Sequence, residues 1–377
     1  EPHYATRQRA QTQAHGEAQQ VASRGKVPFL FHGTAVDLAA SLRDDGRVNT
    51  PLRLFFLLIL GVQFSRAALP IGKVEGQPLG ANVVRLIQAL DFLGAPLAAG
   101  DVKKLKAAIG ARDAVAIQKI IDPHVLVAVS LNPEVRVKVR RGPAKAVLRQ
   151  GGFTPFVVKV LNDSTVARPL RVASPQAGAV FSGSSLGTLK RQAQTELKEN
   201  ENVKAEKGRF LSVEMFGKPP MARNLSGLEA EYALVLIYSQ ESGKREATLQ
   251  FDVGQGTQDL GFRAEVPVLF NVLPAKAVKL DVLDADGRPT TARLEFRDAT
   301  GRVYPPQAKR LAPDFFFQPH IYRAHGQLVI LPPGRFTMEA SRGPEYRVRT
   351  REVTVPSKGP AKITVRLERW VNPMRFG

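Results

Sequence analysis

The chain contains no cysteine. No disulfide can staple it, no thiolate can attack a substrate and no cysteine can ligate a metal, so each domain must be held by its own apolar core. Tryptophan occurs once, and acidic residues number 34 against 54 basic ones, which leaves a net charge of +20. That balance would suit a polyanionic partner. The basic residues are spread along the whole chain, however, and the basic strands lack the interleaved aromatics of a nucleic-acid surface, so nucleic acid is disfavoured as a partner. Histidine is sparse, at positions 3, 15, 32, 124, 320 and 325. His320 and His325 form the one close pair, at a spacing that suits neither a strand face nor a helical turn. With Asp314 they could hold a metal; ordinary loop packing is the plainer reading. No G-x-S-x-G elbow occurs. Asp284-Ala285-Asp286-Gly287 opens like a calcium loop but lacks the later glutamate, and so reads as a β-turn.

Long apolar runs are also lacking, with one exception. Leu54 to Val62 is too short to span a bilayer, which takes roughly 20 residues, yet it has the length of a secretory signal's centre. Arg53 supplies the positive flank, and Ser65-Arg66-Ala67 places small residues for cleavage before Ala68. A buried core segment is the alternative. The chain begins with Glu1 and its first methionine is Met215. The reading this favours is that translation starts at Val48, through a GTG codon, and that residues 1–47 are upstream frame; a flexible extension is the other. Residues 48–67 are then the signal peptide, and the protein is exported to the periplasm or beyond.

Apolar spacings of three and four predict a helix over Asn82–Leu93, stopped by Gly94 and Pro96. A second follows Gly100 with Asp101 as N-cap, and a third spans Asp113–Ile121. This segment, residues 68–124, carries too few large apolar groups to stand alone and should pack on the strands C-terminal to it. From Val125 the period changes to two. Val125–Leu131, Val135–Arg140, Phe156–Asn162, Glu231–Ser239 and Ala247–Val253 read as strands, with Ser239–Lys244 joining the last two as a hairpin loop. Residues 183–208 are polar and lack an apolar period, as a surface insertion would. A second β unit, residues 269–370, carries Val278–Leu283, an Asp284–Pro289 turn, a returning strand Ala292–Arg297, and later strands Gln327–Leu331, Arg335–Ala340, Tyr346–Val355 and Ile363–Leu367. The expected fold is mainly β, with a small N-terminal helical segment and two tandem antiparallel β-sandwiches of Ig-like or prealbumin-like type, the first over 125–268.

Two basic strands are the candidate docking surfaces. Arg347, Arg349 and Arg351 alternate along one, and Arg136, Lys138 and Arg140 along the other. An acidic domain, an anionic glycan or a lipid surface would fit them; a solvated face that discourages edge pairing would look the same.

Beyond these patterns, the order D-x-x-G-x-P, then G-Q-L-V-I-L-P-P-G-R-F-T-M-E-A-S-R-G-P-E-Y, resembles the carboxypeptidase-regulatory, prealbumin-like sandwich of exported bacterial proteins. More specifically, Lys309-Arg310-Leu311-Ala312-Pro313-Asp314-Phe315, Tyr322-Arg323, Leu331-Pro332-Pro333-Gly334, Arg342-Gly343-Pro344-Glu345-Tyr346 and Leu367-Glu368-Arg369-Trp370, with Gly243-Lys244-Arg245-Glu246-Ala247 upstream, resemble the N-terminal region of CehA/McbA-type metallohydrolases of the PHP (polymerase and histidinol phosphatase) superfamily. The resemblance spans most of residues 80–377. It implies that residues 371–377 lead into a catalytic domain whose first motif, of the form G-W-Y-S-G-D-x-H-x-H, would supply the first ligands of a divalent metal. None of those positions is in this sequence, so the resemblance gives this chain no catalytic, cofactor-binding or metal residue of its own and makes the C-terminal catalytic domain its partner.

Overall fold

The computed structural model describes residues 68–178, 210–254, 264–310 and 313–372. The expected signal peptide, the 47 residues before it, the polar stretch 183–208 and residues 373–377 lie outside the described residues. Three helices open the described chain: α1 Gly76–Phe92, α2 Ala99–Gly110 and α3 Ala114–Ile121. Leu79, Val83, Leu86 and Leu90 line one side of α1 at helical spacing, and all are buried. The helix begins earlier than the expected Asn82, at a glycine required by contact: a Cβ on Gly76 would lie 1.7 Å from the Arg112 carbonyl oxygen. Asp113 caps α3 as expected, its Oδ1 accepting from the Ala116 N–H at 2.9 Å. Asp101 does not cap α2. Ala98 holds that position, and Asp101 lies in the first turn, its carboxylate 3.1 Å from the His124 Nε2.

The first sandwich has two sheets. One has the order β2-β1-β4-β7-β6, with β1 Val125–Leu131, β2 Val137–Arg141, β4 Phe153–Asn162, β6 Leu211–Met215 and β7 Ala230–Ser239. The other runs β3-β9-β8-β5, with β3 Val147–Arg149, β5 Arg171–Ala173, β8 Gly243–Asp252 and β9 Glu265–Leu273. Between them Phe156, Val158, Val160, Val235, Ile237, Leu249, Phe251 and Phe270 form a core. The helices cover the outer face of the first sheet, where Phe153, Val157, Leu234 and Leu236 meet Val83, Leu86 and Ile117. This explains why β4 and β7 are apolar almost throughout while β9 alternates: the first two are buried on both faces and β9 on one.

The first sandwich differs from the sequence reading in one connection and in the direction of two pairings. β7 and β8 do not form a hairpin; β7 pairs with β4 and β6, β8 with β9 and β5. The Ser239–Lys244 link crosses between sheets because each strand's apolar face is claimed by a different layer. Most pairings in this sandwich are antiparallel, but β1–β4 and β3–β9 are parallel, as is one pairing of the second sandwich, Val278–Leu283 with Ala361–Arg366.

The second sandwich packs a three-stranded sheet, β14-β10-β17, on one of order β12-β11-β15-β16, in which β13 also pairs with β11. Here β10 is Lys276–Leu283, β11 Thr291–Arg297, β12 Val303–Tyr304, β13 Ile321–Ala324, β14 Leu328–Leu331, β15 Gly334–Ser341, β16 Arg349–Val355 and β17 Ala361–Arg366. Strand β11 does not return beside β10, as the sequence suggested, but crosses to the opposite sheet and pairs with β15. Leu280, Val282, Leu294, Phe296, Met338 and Ile363 are among the residues filling the core.

Candidate functional site: an aromatic loop and the cavity beside it

Arg310, Gln307, Asp314 and Arg323 build the loop between β12 and β13. The buried Arg310 guanidinium donates to the carbonyls of Gln318 and Pro319, each at 3.1 Å, and to that of Pro305. Burial pushes its pKa down to about 10, so it stays charged at neutral pH. Asp314 and Arg323 form a two-pronged ion pair at 2.6 and 2.5 Å, with side chains 0% and 3% exposed. Gln307 Nε2 donates to the Phe316 carbonyl at 3.0 Å and to the Phe92 carbonyl of α1 at 2.9 Å, tying the loop to the helical layer.

What this scaffold carries is an apolar surface. Phe315, Phe316 and Phe317 are 43%, 48% and 58% exposed. The rings of Phe315 and Phe317 stack at 5.2 Å, and Phe316 meets Phe92 edge to face at 6.3 Å. Single exposed apolar residues are ordinary; three adjacent ones on a loop fixed by buried charge form a patch of the kind that binds. In the sequence, this stretch stands out only through the resemblance of its Lys309–Phe315 motif. The available signal was the triple phenylalanine itself, which no single buried face can absorb.

Beside the loop lies a cavity of about 450 Å³. Phe92, Phe153, Phe216, Leu236 and Phe316 give it apolar walls, and Glu214, Lys218, Lys309 and Arg310 border it. The Lys309 ammonium lies 2.7 Å from the Glu214 carboxylate and 4.7 Å from the centre of the Phe153 ring.

His320, His325 and Asp314 each face other partners. Asp314 is held by Arg323, and His325 Nδ1 lies 3.2 Å from the Val282 carbonyl. His320 packs edge to face on Tyr322 with its Nδ1 buried, and burial, then the nearby Arg293, lower its pKa. Among the described residues no three histidines or carboxylates gather as a metal site.

The basic residues lie at two separate sheet edges. Arg347 precedes β16 and meets Glu368 at 3.4 Å; Arg349 meets the same carboxylate, and Arg351 donates to the Thr364 carbonyl of β17. Arg136 precedes β2 and pairs with Glu134 at 3.1 Å, while Lys138 and Arg140 are exposed on the edge strand β2. Burial, opposed by the Asp122 charge, lowers the Arg140 pKa.

The Asp284 turn gathers a hub of the chain's own groups. Its Oδ2 accepts from Tyr346 at 3.0 Å and Arg342 at 3.1 Å, and Arg369 stands at 3.5 Å. Burial opposes its ionisation, but the Ala285 N–H, Tyr346, Arg369 and Arg342 outweigh this and hold its pKa below the ordinary value.

No protein-family model and no curated protein matches the chain. Among solved structures, the major pilin subunit BcpA of Bacillus cereus is similar at 10% identity over 64% of this chain and 69% of its own, with a TM-score of 0.22. The Corynebacterium diphtheriae major pilin SpaA is similar at 10% identity over 58% and 65%, TM-score 0.21. The Bacillus anthracis TIE protein is similar at 9% identity over 80% and 56%, TM-score 0.18.

Proposed function

We propose that this chain is the non-catalytic β-sandwich scaffold of an exported metal-dependent hydrolase of the PHP superfamily, whose catalytic domain lies on the C-terminal side. The observation that carries the reading is where the resembling motifs fall. Arg310, Asp314 and Arg323 together fix the aromatic loop. Arg342, Tyr346 and Arg369 gather on Asp284, so the Leu367-Glu368-Arg369-Trp370 segment leaves the sandwich from a pinned corner. Trp370 is fixed as well, its N–H donating to the Glu345 carbonyl at 3.0 Å and its indole to the Pro344 carbonyl at 2.8 Å. A rigid exit is what a C-terminal domain needs to keep its orientation. Chemistry would reside in that domain's divalent metal, which activates water.

The second reading, an exported module for an anionic glycan or lipid surface, rests on the two basic edges. The pairing of Arg347 and Arg349 with Glu368 and of Arg136 with Glu134 weakens it. Reading and expressing the frame past Gly377 separates the two. The expected result is a W-Y-S-G-D-x-H-x-H-like segment and chelator-sensitive hydrolysis of phosphoesters or carbamates by the extended protein, with none by residues 68–377. A stop codon with no such segment, or turnover by residues 68–377 that disappears on His320→Ala, overturns the scaffold reading.

A further inference from the structure

We propose that the cavity between the end of α1, β6 and the aromatic loop binds an amphipathic organic anion, with a ring or short alkyl body among the phenylalanines and a carboxylate or sulfonate head at Lys218. The inference is independent of the scaffold reading. Its first support is size: about 450 Å³ lies within the range of roughly 300–1,000 Å³ typical of small-molecule sites. Its second is how the walls are built. Phe92 comes from α1, Phe153 from β4, Phe216 follows β6, and Phe316 belongs to the β12–β13 loop. Gln307 bridges the first and last of these by its two carbonyl contacts. The pocket therefore exists once the chain has folded, and water within it meets mostly ring carbon, a weak partner compared with an apolar ligand.

Charge selects the kind of ligand. Lys218, Lys309 and Arg310 border the cavity against a single carboxylate, Glu214. Lys309 holds that carboxylate at 2.7 Å, which leaves it no charge to offer a cationic ligand. Arg310 is satisfied by carbonyl oxygens, which accept its hydrogen bonds without cancelling its charge. Lys218 is exposed and its ammonium has no hydrogen bond or ion pair among the described residues. An anion at the mouth would meet that ammonium with the field of Arg310 behind it, while an uncharged apolar molecule would gain the walls alone. A cation would be repelled.

The test uses residues 68–377 and two probes, 1-anilinonaphthalene-8-sulfonate and decanoate. Trp370 is the only tryptophan and is 62% exposed, so Phe216→Trp places a reporter in the wall against a constant background. Decanoate should change the Phe216→Trp emission saturably, at one site per chain, and displace the naphthalene probe from the unmodified protein. Decanol should bind at least threefold more weakly than decanoate. Lys218→Gln should weaken decanoate about threefold, the effect of an exposed charge, and the difference should shrink in high salt. Ala308→Phe, which fills the cavity, should weaken both probes at least tenfold while the circular dichroism stays native. Should that variant misfold, Leu236→Phe makes the same test from β7. Phe315→Ser/Phe317→Ser, whose side chains lie outside the cavity wall, should leave binding unchanged. Loss of binding in this double variant but not in the filled ones would show that the probes read the exposed patch and would overturn the proposal. Equal binding of decanol and decanoate would overturn the assignment of an anion.

Discussion

Gly152 of the first sandwich lies against Pro306 of the second so closely that a Cβ on Gly152 would stand 2.4 Å from the proline Cγ. The two sandwiches are also joined by the Ala275 N–H bond to Gln150 Oε1 at 3.0 Å, and the Val303 N–H reaches the Gly94 carbonyl of the helical layer at 2.8 Å. The proline ring is rigid and cannot give way as a flexible side chain would. Gly152→Val should therefore cost about 1–3 kcal/mol, as overpacking does. Gly100→Ala, in α2 with open space around it, should instead stabilise by about 0.5–1 kcal/mol. Urea unfolding of both variants checks the pair; a silent Gly152→Val would mean that the contact yields.

The helical layer is anchored by charge as well as by apolar packing. Lys159 of β4 is fully buried, its ammonium 2.8 and 2.9 Å from the two Asp122 oxygens, and Tyr232 donates to the same carboxylate at 2.9 Å. Burial lowers the Lys159 pKa, and Asp122 pulls it back up. Lys159→Met would leave a buried carboxylate without its cation, a loss of about 3–5 kcal/mol. Lys159→Met/Asp122→Leu should cost less than the two single losses added together. A double-mutant cycle by urea unfolding decides this, and strict additivity would deny that the pair interacts.

His320 makes stability depend on pH in one direction. Its pKa is lowered in the folded protein from the ordinary 6.5, by burial first and then by Arg293, with Glu295 opposing and Arg310 adding. Between the folded pKa and about 6.5 the unfolded chain binds the extra proton, so stability falls as pH drops through that window and is constant above it. Thermal unfolding from pH 7.5 to 5 should show the fall, and His320→Gln should flatten it relative to the unmodified chain. An equal slope in both would place the titration elsewhere.

Glu368 decides how basic the β16 edge is to a partner. Glu368→Gln should release Arg347 and Arg349 and delay elution from immobilised heparin to higher salt, while Arg349→Ala should advance it only slightly. Unchanged elution of Glu368→Gln would show that the two arginines are not held back by this carboxylate.

Export has its own test. Expressed in a bacterium from Val48, the protein should be recovered outside the cytoplasm with Ala68 at its amino terminus, and Leu57→Asp/Leu58→Asp should block this by charging the apolar centre. Full-length protein retained in the cytosol would remove residues 48–67 as a signal.

The sequence by itself determined the local elements. Helical spacing marked α1, the Asp113 cap marked the start of α3, and alternation marked β2 and β10, because these patterns depend on residues three, four or two apart. Tertiary structure alone decided which strands share a sheet. β7 and β8 are neighbours in the chain but lie in opposite sheets, and β1 and β4 are parallel partners although β2 and β3 lie between them. Pairing depends on which layer covers each face, and nothing local records that. The same limit hid the polar anchors. In F-V-V-K-V-L-N, Lys159 looks like the exposed position of a half-buried strand; the helices that cover that face bring Asp122 to it from 37 residues away. The aromatic loop obeyed this rule too: three adjacent phenylalanines were visible in the sequence, but their exposure required Arg310, Asp314 and Arg323 to be folded into one buried frame beneath them.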